Sequence, residues 1–292
     1  MIPAPFAYSR ASSLDEALDL LLRHGEEARV VAGGQSLLPL MKLRLARPER
    51  LIDIGRLDAL RGIHRLADGR LAIGALTTYA ELLDSPAVMA YALVTDALPT
   101  IGDVQVRNRG TIGGAIVHAD PASDLPAVLL ALDAELVARS AERGERVVPI
   151  GDALLGPFTT ALERDELLVE IRLPQASGAY GSAYRKLAQR ASGFAIAGVA
   201  AVLGRTDAPP DGAFDDVRLA VTGVGEQPYR ASAAEAALAG TACDAAAVAT
   251  AVALVTDGIE VGDDIHADRE YRAAMAAVMA TRAIEAALER PR

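Results

Sequence analysis

Two pairs of adjacent glycines, Gly33–Gly34 and Gly113–Gly114, are the residues of this sequence whose type and surroundings indicate chemistry. Each pair lies beside an apolar run and a hydroxyl-bearing residue, Ser36 after the first pair and Thr111 before the second. Because glycine has no side chain, its backbone can approach a bulky anion and direct N–H groups at it. The two turns therefore predict a site for the two phosphates of one dinucleotide, with Ser36 and Thr111 as additional donors.

The spacing of these turns differs from that of the standard nucleotide-binding loops. No Gly-x-Gly-x-x-Gly segment follows the first predicted strand, and no Gly-x-x-x-x-Gly-Lys-Ser/Thr segment occurs. A Rossmann fold or a P-loop is therefore disfavoured. On the residues alone, the alternative that each glycine pair only forms a tight turn stays open.

The composition narrows the possible functions. The chain has 292 residues, of which 51% are hydrophobic, and this is enough for two domains with separate cores. Its formal net charge of −10 argues against nucleic acid as a partner, because phosphate backbones are bound by clusters of Lys and Arg. No signal-peptide pattern and no apolar stretch suited to a transmembrane segment is visible, so we expect a cytoplasmic protein.

The cysteine and histidine residues do not indicate a metal site or a catalytic thiol. Cys243 is the only cysteine and can hold neither an internal disulfide nor an iron–sulfur cluster, so we expect a buried, inert thiol. The histidines are far apart in sequence, which predicts no metal site; they are His24, His64, His118 and His266. Of these, His118 follows the second glycine pair and lies either in a surface loop or beside the bound ligand.

The apolar patterns predict strands and helices that alternate around the two turns. In the first part of the chain we expect helices at residues 14–24, 77–83, 87–98 and 124–132, strands at 28–32, 51–54 and 167–173, and hairpins at 63–73 and 136–149. Ile112 and Ile116–Val117 are predicted to be strand residues. In the second part we expect strands at 179–187, 195–203 and 217–224 and a final helix at 268–289 with Glu270, Arg272 and Arg282 on its polar faces.

This pattern is typical of an α+β protein in two pieces. The segment Gln175–Gly178 contains small and polar residues and is the best candidate for a linker. We therefore place a domain boundary near residue 176.

Read with their flanking residues, the two glycine motifs resemble those of the FAD-binding (medium) subunits of the molybdenum hydroxylase family. This family includes the medium subunit of carbon monoxide dehydrogenase and the FAD segment of xanthine dehydrogenase. The first motif is Ala-Gly-Gly-Gln-Ser-Leu-Leu-Pro at residues 32–39. The second is Arg-Asn-Arg-Gly-Thr-Ile-Gly-Gly at 107–114, followed by Ala-Asp-Pro-Ala-Ser-Asp-Leu-Pro at 119–126. Tyr184–Lys186 and Gly193–Ala195 resemble the family's next elements, so the similarity covers essentially the whole chain.

The resemblance implies an α+β fold. Its first part would be a two-subdomain FAD-binding domain of the vanillyl-alcohol-oxidase type, and its second part a C-terminal domain with a three-stranded sheet and helices. We therefore expect an FAD-binding domain at residues 1–176, with subdomains at about 1–56 and 57–176, and a C-terminal domain at 177–292.

The resemblance also implies which residues bind FAD. The two turns would surround the pyrophosphate through Ala32, Gly33, Gly34, Gln35 and Ser36 and through Thr111, Ile112, Gly113 and Gly114. Outside the turns, the implied contacts are Ile101 against the cofactor, Asp124 with a ribose or adenine-side group, Leu168 on the adenine side, and Lys186 at the pyrimidine edge of the flavin. A cation at that edge would raise the flavin's potential. Neither turn contains His or Cys, so we expect FAD to be bound non-covalently.

Each of these single residues also has a purely structural interpretation. Ile101 and Leu168 are equally consistent with a core position, Asp124 with a helix cap, and Lys186 with the surface. Asp120 either contacts FAD or orders its own loop. Phe194 either stacks on the flavin ring or fills the core.

The function implied by the resemblance is electron transfer within a molybdenum hydroxylase complex. A large partner subunit would hold the molybdenum–pterin centre and a small one the [2Fe–2S] clusters, in a dimer of heterotrimers. This chain would carry electrons through FAD to a quinone or NAD. Two alternatives stay open: a stand-alone flavin oxidoreductase of the same fold, and a flavin-free scaffold or maturation protein. The substrate of the complex cannot be named from this chain.

Overall fold

The computed structural model describes residues 2–175, 179–205 and 212–290. Its strands are β1 (Ala7–Arg10), β2 (Ala28–Val31), β3 (Arg50–Asp53), β4 (Ile63–Arg65), β5 (Leu71–Gly74), β6 (Glu135–Ser140), β7 (Gly144–Pro149), β8 (Leu154–Gly156), β9 (Thr159–Thr160), β10 (Glu166–Leu173), β11 (Ala179–Ala188), β12 (Ala195–Arg205), β13 (Asp216–Thr222) and β14 (Tyr229–Arg230). The predicted linker at 175–178 lies, beyond Gln175, outside the described residues.

The helices follow the same chain order. They are α1 (Leu14–His24), α2 (Leu37–Lys42), α3 (Tyr79–Leu83), α4 (Ala92–Ala97), α5 (Val104–Arg107), α6 (Ile112–His118), α7 (Asp124–Ala131), α8 (Ile150–Ala153), α9 (Ser232–Leu238), α10 (Ala245–Val252) and α11 (Arg269–Leu288). Short 3-10 segments occupy Gly25–Glu27, Asp58–Leu60, Val88–Ala90 and Leu98–Thr100. No helix within the described ranges is both long and apolar enough to cross a bilayer.

A small parallel sheet in the order β1-β3-β2 carries the first glycine turn. The predicted helix α1 begins where the Ser13 hydroxyl accepts a hydrogen bond from the N–H of Glu16 at 3.1 Å, and it buries Leu18 and Leu21. Strand β2 ends at Val31, so the turn emerges at the carboxyl end of a parallel sheet. Loops at such ends are where α/β sheets bind ligands.

A five-stranded antiparallel sheet in the order β4-β5-β10-β6-β7 forms the next layer. Both predicted hairpins are confirmed, β4 with β5 and β6 with β7. Their turns contain Gly69 and Gly144, whose φ values of 86° and 73° favour glycine. The strand predicted at 167–173 is β10, and it lies at the centre of this sheet.

The residues predicted as strand at Ile112 and Ile116–Val117 are instead helical, as part of α6. The Thr111 hydroxyl accepts a hydrogen bond from the N–H of Gly114 at 3.1 Å and caps the helix. Short apolar runs do not distinguish a strand from a buried helix, and here the threonine cap decides between them.

The C-terminal domain is built on a sheet in the order β11-β12-β13-β14. The three predicted strands are present, and the two-residue strand Tyr229–Arg230 adds a fourth at the edge. Helix α11 packs against β11 and β12. Helix α7, from the first domain, packs against β12 and β13, and all its residues are buried.

The prediction that Arg272 lies on a polar face of the last helix is wrong, because this residue is buried. Arg272 is only 6% exposed, whereas Arg282 on the same helix is exposed. Arg272 donates to the carbonyl oxygens of Ile196 (2.9 Å) and Gly223 (2.5 Å) and pairs with Asp264 at 2.6 Å. The arginine therefore joins α11 to the ends of two strands and to the loop before the helix.

Candidate functional site

The two glycine turns, residues 32–36 and 110–114, are brought together by the fold. A Cβ atom at Gly33 would lie 1.9 Å from the carbonyl oxygen of Arg109 and 3.2 Å from the Cα of Gly110. Only glycine permits this approach, because both neighbours are backbone atoms that cannot rotate away. The absence of a side chain at Gly33 therefore joins the two motifs into one site.

The first glycine turn has backbone donors available. Within residues 2–175, 179–205 and 212–290, the N–H groups of Gly33, Gly34, Gln35 and Ser36 make no hydrogen bond. Gly34 has a φ of 76°, which bends the chain into helix α2. Consecutive free N–H groups around a left-handed residue form a concave site for an anion.

The second glycine turn offers few of the free backbone N–H donors that the sequence predicts for it. The N–H of Ile112 donates to the Thr77 carbonyl (3.0 Å), and that of Gly113 to the Ala75 carbonyl (2.9 Å). A Cβ at Gly113 would lie 2.6 Å from the Cβ of Ala75, so this glycine allows α6 to pack on the end of β5. The N–H groups of the second turn are thus largely used within the protein, while the Thr111 hydroxyl can still donate.

A cleft of about 400 Å³ opens beside the two turns. Its lining combines backbone of both turns with polar side chains: Ala32, Gly33, Gly55, Arg61, Leu76, Thr78, Ala80, Glu81, Asp84, Asn108, Arg109 and Thr111. Arg61 donates to the Gly55 carbonyl (3.0 Å) and pairs with Glu81 at 3.4 Å. The exposed Arg109 guanidinium has no hydrogen-bond or ion-pair partner among the described residues.

The charge of Glu81 is fixed by its neighbours. Burial alone would raise the pKa of Glu81, but hydrogen bonds from Thr78 and the Arg61 guanidinium lower it below its ordinary value. The carboxylate belongs to a capping box with Thr78 at the start of α3. The Glu81 carboxylate therefore serves the helix cap and the ion pair with Arg61. Among the described residues that line the cleft, the charged side chains of Arg109 and Asp84 have no hydrogen-bond or ion-pair partner.

Comparison with known proteins identifies the family to which this chain belongs. Two family models match the chain: the FAD binding domain in molybdopterin dehydrogenase over residues 4–176, and the CO dehydrogenase flavoprotein C-terminal domain over residues 182–287. The chain belongs to the FAD-binding medium subunits of molybdenum hydroxylases. As such, this medium subunit is part of an oxidoreductase.

Individual relatives of this medium subunit cover the whole chain. The carbon monoxide dehydrogenase medium chain of Hydrogenophaga pseudoflava is 40% identical, with 99% of each chain covered. Subunit alpha of the 6-hydroxypseudooxynicotine dehydrogenase complex of Paenarthrobacter nicotinovorans is 36% identical, with 100% of this chain and 97% of that one covered. A solved structure of the Hydrogenophaga pseudoflava carbon monoxide dehydrogenase that lacks the Mo-pyranopterin moiety superposes with a TM-score of 0.93 at 43% identity and 99% coverage of both chains.

The first glycine turn of this medium subunit fits the diphosphate of FAD on its own geometry. It has free N–H donors, a glycine at position 33 whose missing side chain lets the Arg109–Gly110 backbone approach, and the unpartnered cation of Arg109 beside it. Phosphate oxygens are bound by such backbone donors and by guanidinium groups. Arg61 and Arg109 were not singled out from the sequence. Arg109 could have been identified because it directly precedes Gly110 in the second motif. No sequence pattern indicates that Arg61 lies at this cleft.

Two of the predicted residues, Asp124 and Lys186, bind each other. The Lys186 ammonium lies 2.9 Å and 3.0 Å from the two carboxylate oxygens of Asp124, and both side chains are almost fully buried. Tyr184 also donates to Asp124 at 2.5 Å. Burial raises the pKa of Asp124, although Lys186 and Tyr184 oppose the rise, and burial raises that of Tyr184 well above its ordinary value. The surface interpretation of Lys186 is wrong, and Ser123 rather than Asp124 occupies the cap position of α7.

The cleft beside the first turn is not lined by four other predicted residues, Ile101, Asp120, Leu168 and Phe194. Leu168 is buried in the core on β10, and Ile101 is partly buried and accepts from Arg107 through its carbonyl at 3.0 Å. Asp120 accepts from the N–H of Ala122 at 2.9 Å and so orders its own loop. Phe194 is 45% exposed, so it does not fill the core.

A second cavity, of about 330 Å³, lies between the two domains and is called the interdomain cavity below. Residues of both domains line it, including Asp120, Ala122, Phe158, Phe194, Asp264 and Arg272. His118 ends α6 and its ring lies 5.2 Å from that of Phe158. Burial lowers the pKa of His118, and Asp120 opposes this shift. Phe158 was not anticipated from the sequence.

Proposed function

We propose that this chain is the electron-transfer subunit of a molybdenum hydroxylase complex and that it holds FAD non-covalently. The observation that carries the proposal is the contact of Gly33 with Arg109, which joins a turn of free N–H groups to the second motif. The N–H groups of residues 33–36 would bind the diphosphate together with the hydroxyls of Ser36 and Thr111. Arg109 would neutralise part of its charge.

Residues outside the two turns have proposed roles as well. Ile101 and Leu168 would shape the walls that the cofactor meets, and Asp120 and Phe194 line the interdomain cavity. The domains would divide near residue 176, which agrees with family models that match 4–176 and 182–287. Non-covalent binding is supported by the absence of His and Cys from residues 32–36 and 111–114.

When bound, FAD supplies chemistry in which electrons are exchanged singly or in pairs. The chain would stand between a small partner subunit with [2Fe–2S] clusters and an external acceptor, a quinone or NAD. A large partner subunit would bind the molybdenum–pterin centre and the substrate. Relatives of nearly equal similarity are named for carbon monoxide and for 6-hydroxypseudooxynicotine, which supports placing the choice of substrate outside this chain.

Reconstitution of the purified chain tests the cofactor assignment directly. The chain, expressed alone and incubated with FAD, is expected to gain absorbance near 450 nm in stoichiometric amount after gel filtration. Co-expression with a molybdopterin-binding chain and a Cys-rich chain should then yield one complex. Folded protein that takes up no FAD would favour the scaffold alternative. Turnover of a small organic substrate by the isolated flavin-loaded chain would favour the stand-alone oxidoreductase.

Arg109 is expected to strengthen FAD binding by its charge. We expect Arg109→Leu to raise the Kd for FAD about 10-fold at low ionic strength, because a charge-assisted hydrogen bond is worth roughly 1.5 kcal/mol. The salt dependence of the Kd, measured by fluorescence titration, should also become weaker. Arg269→Leu removes an exposed guanidinium on α11 and should change neither quantity. Equal Kd values and equal salt dependence in Arg109→Leu and the unaltered chain would exclude the contact.

A further inference from the structure

Lys186 occupies an unusual position for this chain. The sequence has two lysines, and the other, Lys42, is exposed. The Lys186 side chain is 3% exposed and donates to the carbonyl oxygens of Thr100 (2.9 Å) and Gly193 (2.8 Å) as well as to Asp124. An ammonium has three N–H donors, so these acceptors can use all of them.

The acceptors of Lys186 belong to separate parts of the chain. Thr100 and Asp124 come from the first domain, and Gly193 lies in the turn between β11 and β12 of the second. This turn, residues 189–194, is closed by hydrogen bonds between Gln189 and Phe194 (2.8 Å) and between Gly193 and Gln189 (2.8 Å). A Cβ at Gly193 would lie 3.4 Å from the backbone nitrogen of Gly102, so the turn also packs closely against the first domain.

We propose that the buried Asp124–Lys186 pair positions the turn at residues 189–194 and thereby fixes Phe194 as a wall of the interdomain cavity. Asp124 holds the ammonium from the first domain, and the ammonium holds the Gly193 carbonyl, one residue before Phe194. Lys186 is in this assignment a positioning residue whose donors are used by the protein itself. The proposal concerns the shape of the cavity and does not depend on which ligand enters it.

The removal of one partner is expected to loosen the turn. Lys186→Met would leave the Asp124 carboxylate buried with Tyr184 as its remaining side-chain donor, and Asp124→Asn would leave the ammonium without its counter-charge. Either single change should lower the melting temperature by roughly 6–10 °C, because an unpaired buried charge is costly. The double variant removes both charges, so it should be no less stable than either single variant.

The absence of tryptophan from the chain allows a local measurement. Phe194→Trp introduces a single tryptophan on the turn, and Phe158→Trp introduces one on another wall of the same cavity. Both positions are substantially exposed, so the larger ring has room. Acrylamide quenching and anisotropy of each reporter are then compared in the full chain with and without Lys186→Met, Asp124→Asn and the double change.

The proposal predicts a change confined to the turn. In each variant of the Asp124–Lys186 pair, the quenching constant of Trp at position 194 should rise about twofold or more over the value with the pair intact, as expected for local loosening. The quenching constant of Trp at position 158 should stay unchanged. Asp19→Asn with Arg23→Met, which removes an exposed ion pair on α1, should affect neither reporter. An equal change at both reporters would show general loosening, and no change at position 194 would show that the pair does not hold the turn. Either of these results overturns the proposal.

Discussion

Replacement of Gly33 by alanine is expected to abolish FAD binding at micromolar cofactor. The added methyl group would lie 1.9 Å from the Arg109 carbonyl oxygen and 2.7 Å from its carbonyl carbon, whereas unbonded heavy atoms need roughly 3.5 Å. The two turns would have to separate by more than an ångström. We expect the Kd for FAD to rise at least 100-fold, about 2.8 kcal/mol, in a titration followed by flavin fluorescence.

A matched alanine substitution separates this effect from a general one. Gly151 lies in α8, and a Cβ there would meet nothing within 4 Å, so Gly151→Ala should leave FAD affinity unchanged. The second glycine pair is a poorer test, because a side chain at Gly113 would push α6 away from Ala75 and damage the fold itself. Retention of full affinity in Gly33→Ala would mean that FAD does not need the close approach of the two turns.

Among the proposed substitutions, Arg272→Leu is expected to lower the free energy of unfolding the most. Arg272→Leu would leave the buried carbonyl oxygen of Gly223 and the partly buried one of Ile196 without this donor, and it would remove the ion-pair partner of the half-exposed Asp264. A hydrogen bond from a charged group is worth about 1.5–3 kcal/mol, so the loss of the two bonds to carbonyl oxygens costs roughly 3–6 kcal/mol. For a chain of this size we therefore expect a fall in melting temperature of roughly 6–12 °C by calorimetry.

Arg282→Leu, on an exposed position of the same helix, is the control for this experiment and should shift the melting temperature little. The pH dependence gives a second measurement. Burial raises the pKa of Asp264, but hydrogen bonds from His266 and Arg272 more than offset this and lower it. Its stabilising contribution is therefore present above the unfolded-state pKa and lost as the pH falls. Arg272→Leu should weaken this loss on acidification, and an unaltered melting temperature would contradict the assigned role.

The elements predicted best from the sequence were those specified by local residues. The hairpins at Gly69 and Gly144 need glycine at their turns, and α1 has its serine cap and acidic first turn directly in the sequence. Strand β1 was missed because its partner, β3, lies far along the chain and its short segment Ala7–Arg10 has no alternating pattern. Helix α6 was missed because its apolar run is too short to show a helical period.

The site was predictable in its motifs and less so in its hydrogen bonds. Both glycine pairs were identified, but which pair has free N–H groups depends on Ala75 and Thr77, which sequence patterns do not connect with the second turn. The same holds for Arg272, whose burial depends on carbonyl groups at the ends of β12 and β13. Polarity alone predicts an exposed side chain, and tertiary acceptors reverse that prediction.

Helix α7 has a consequence for how the chain unfolds. It lies in the sequence of the first domain, yet all its residues are buried, all but Asp124 are apolar, and it packs against β12 and β13 of the second. If the C-terminal sheet separated from this helix or unfolded, the apolar side chains of the helix would be exposed to water. The unfolding of either domain therefore destabilises the other. Two regions that match separate family models are thus coupled into one cooperative unit, and a cut at their boundary would leave each half with an uncovered core.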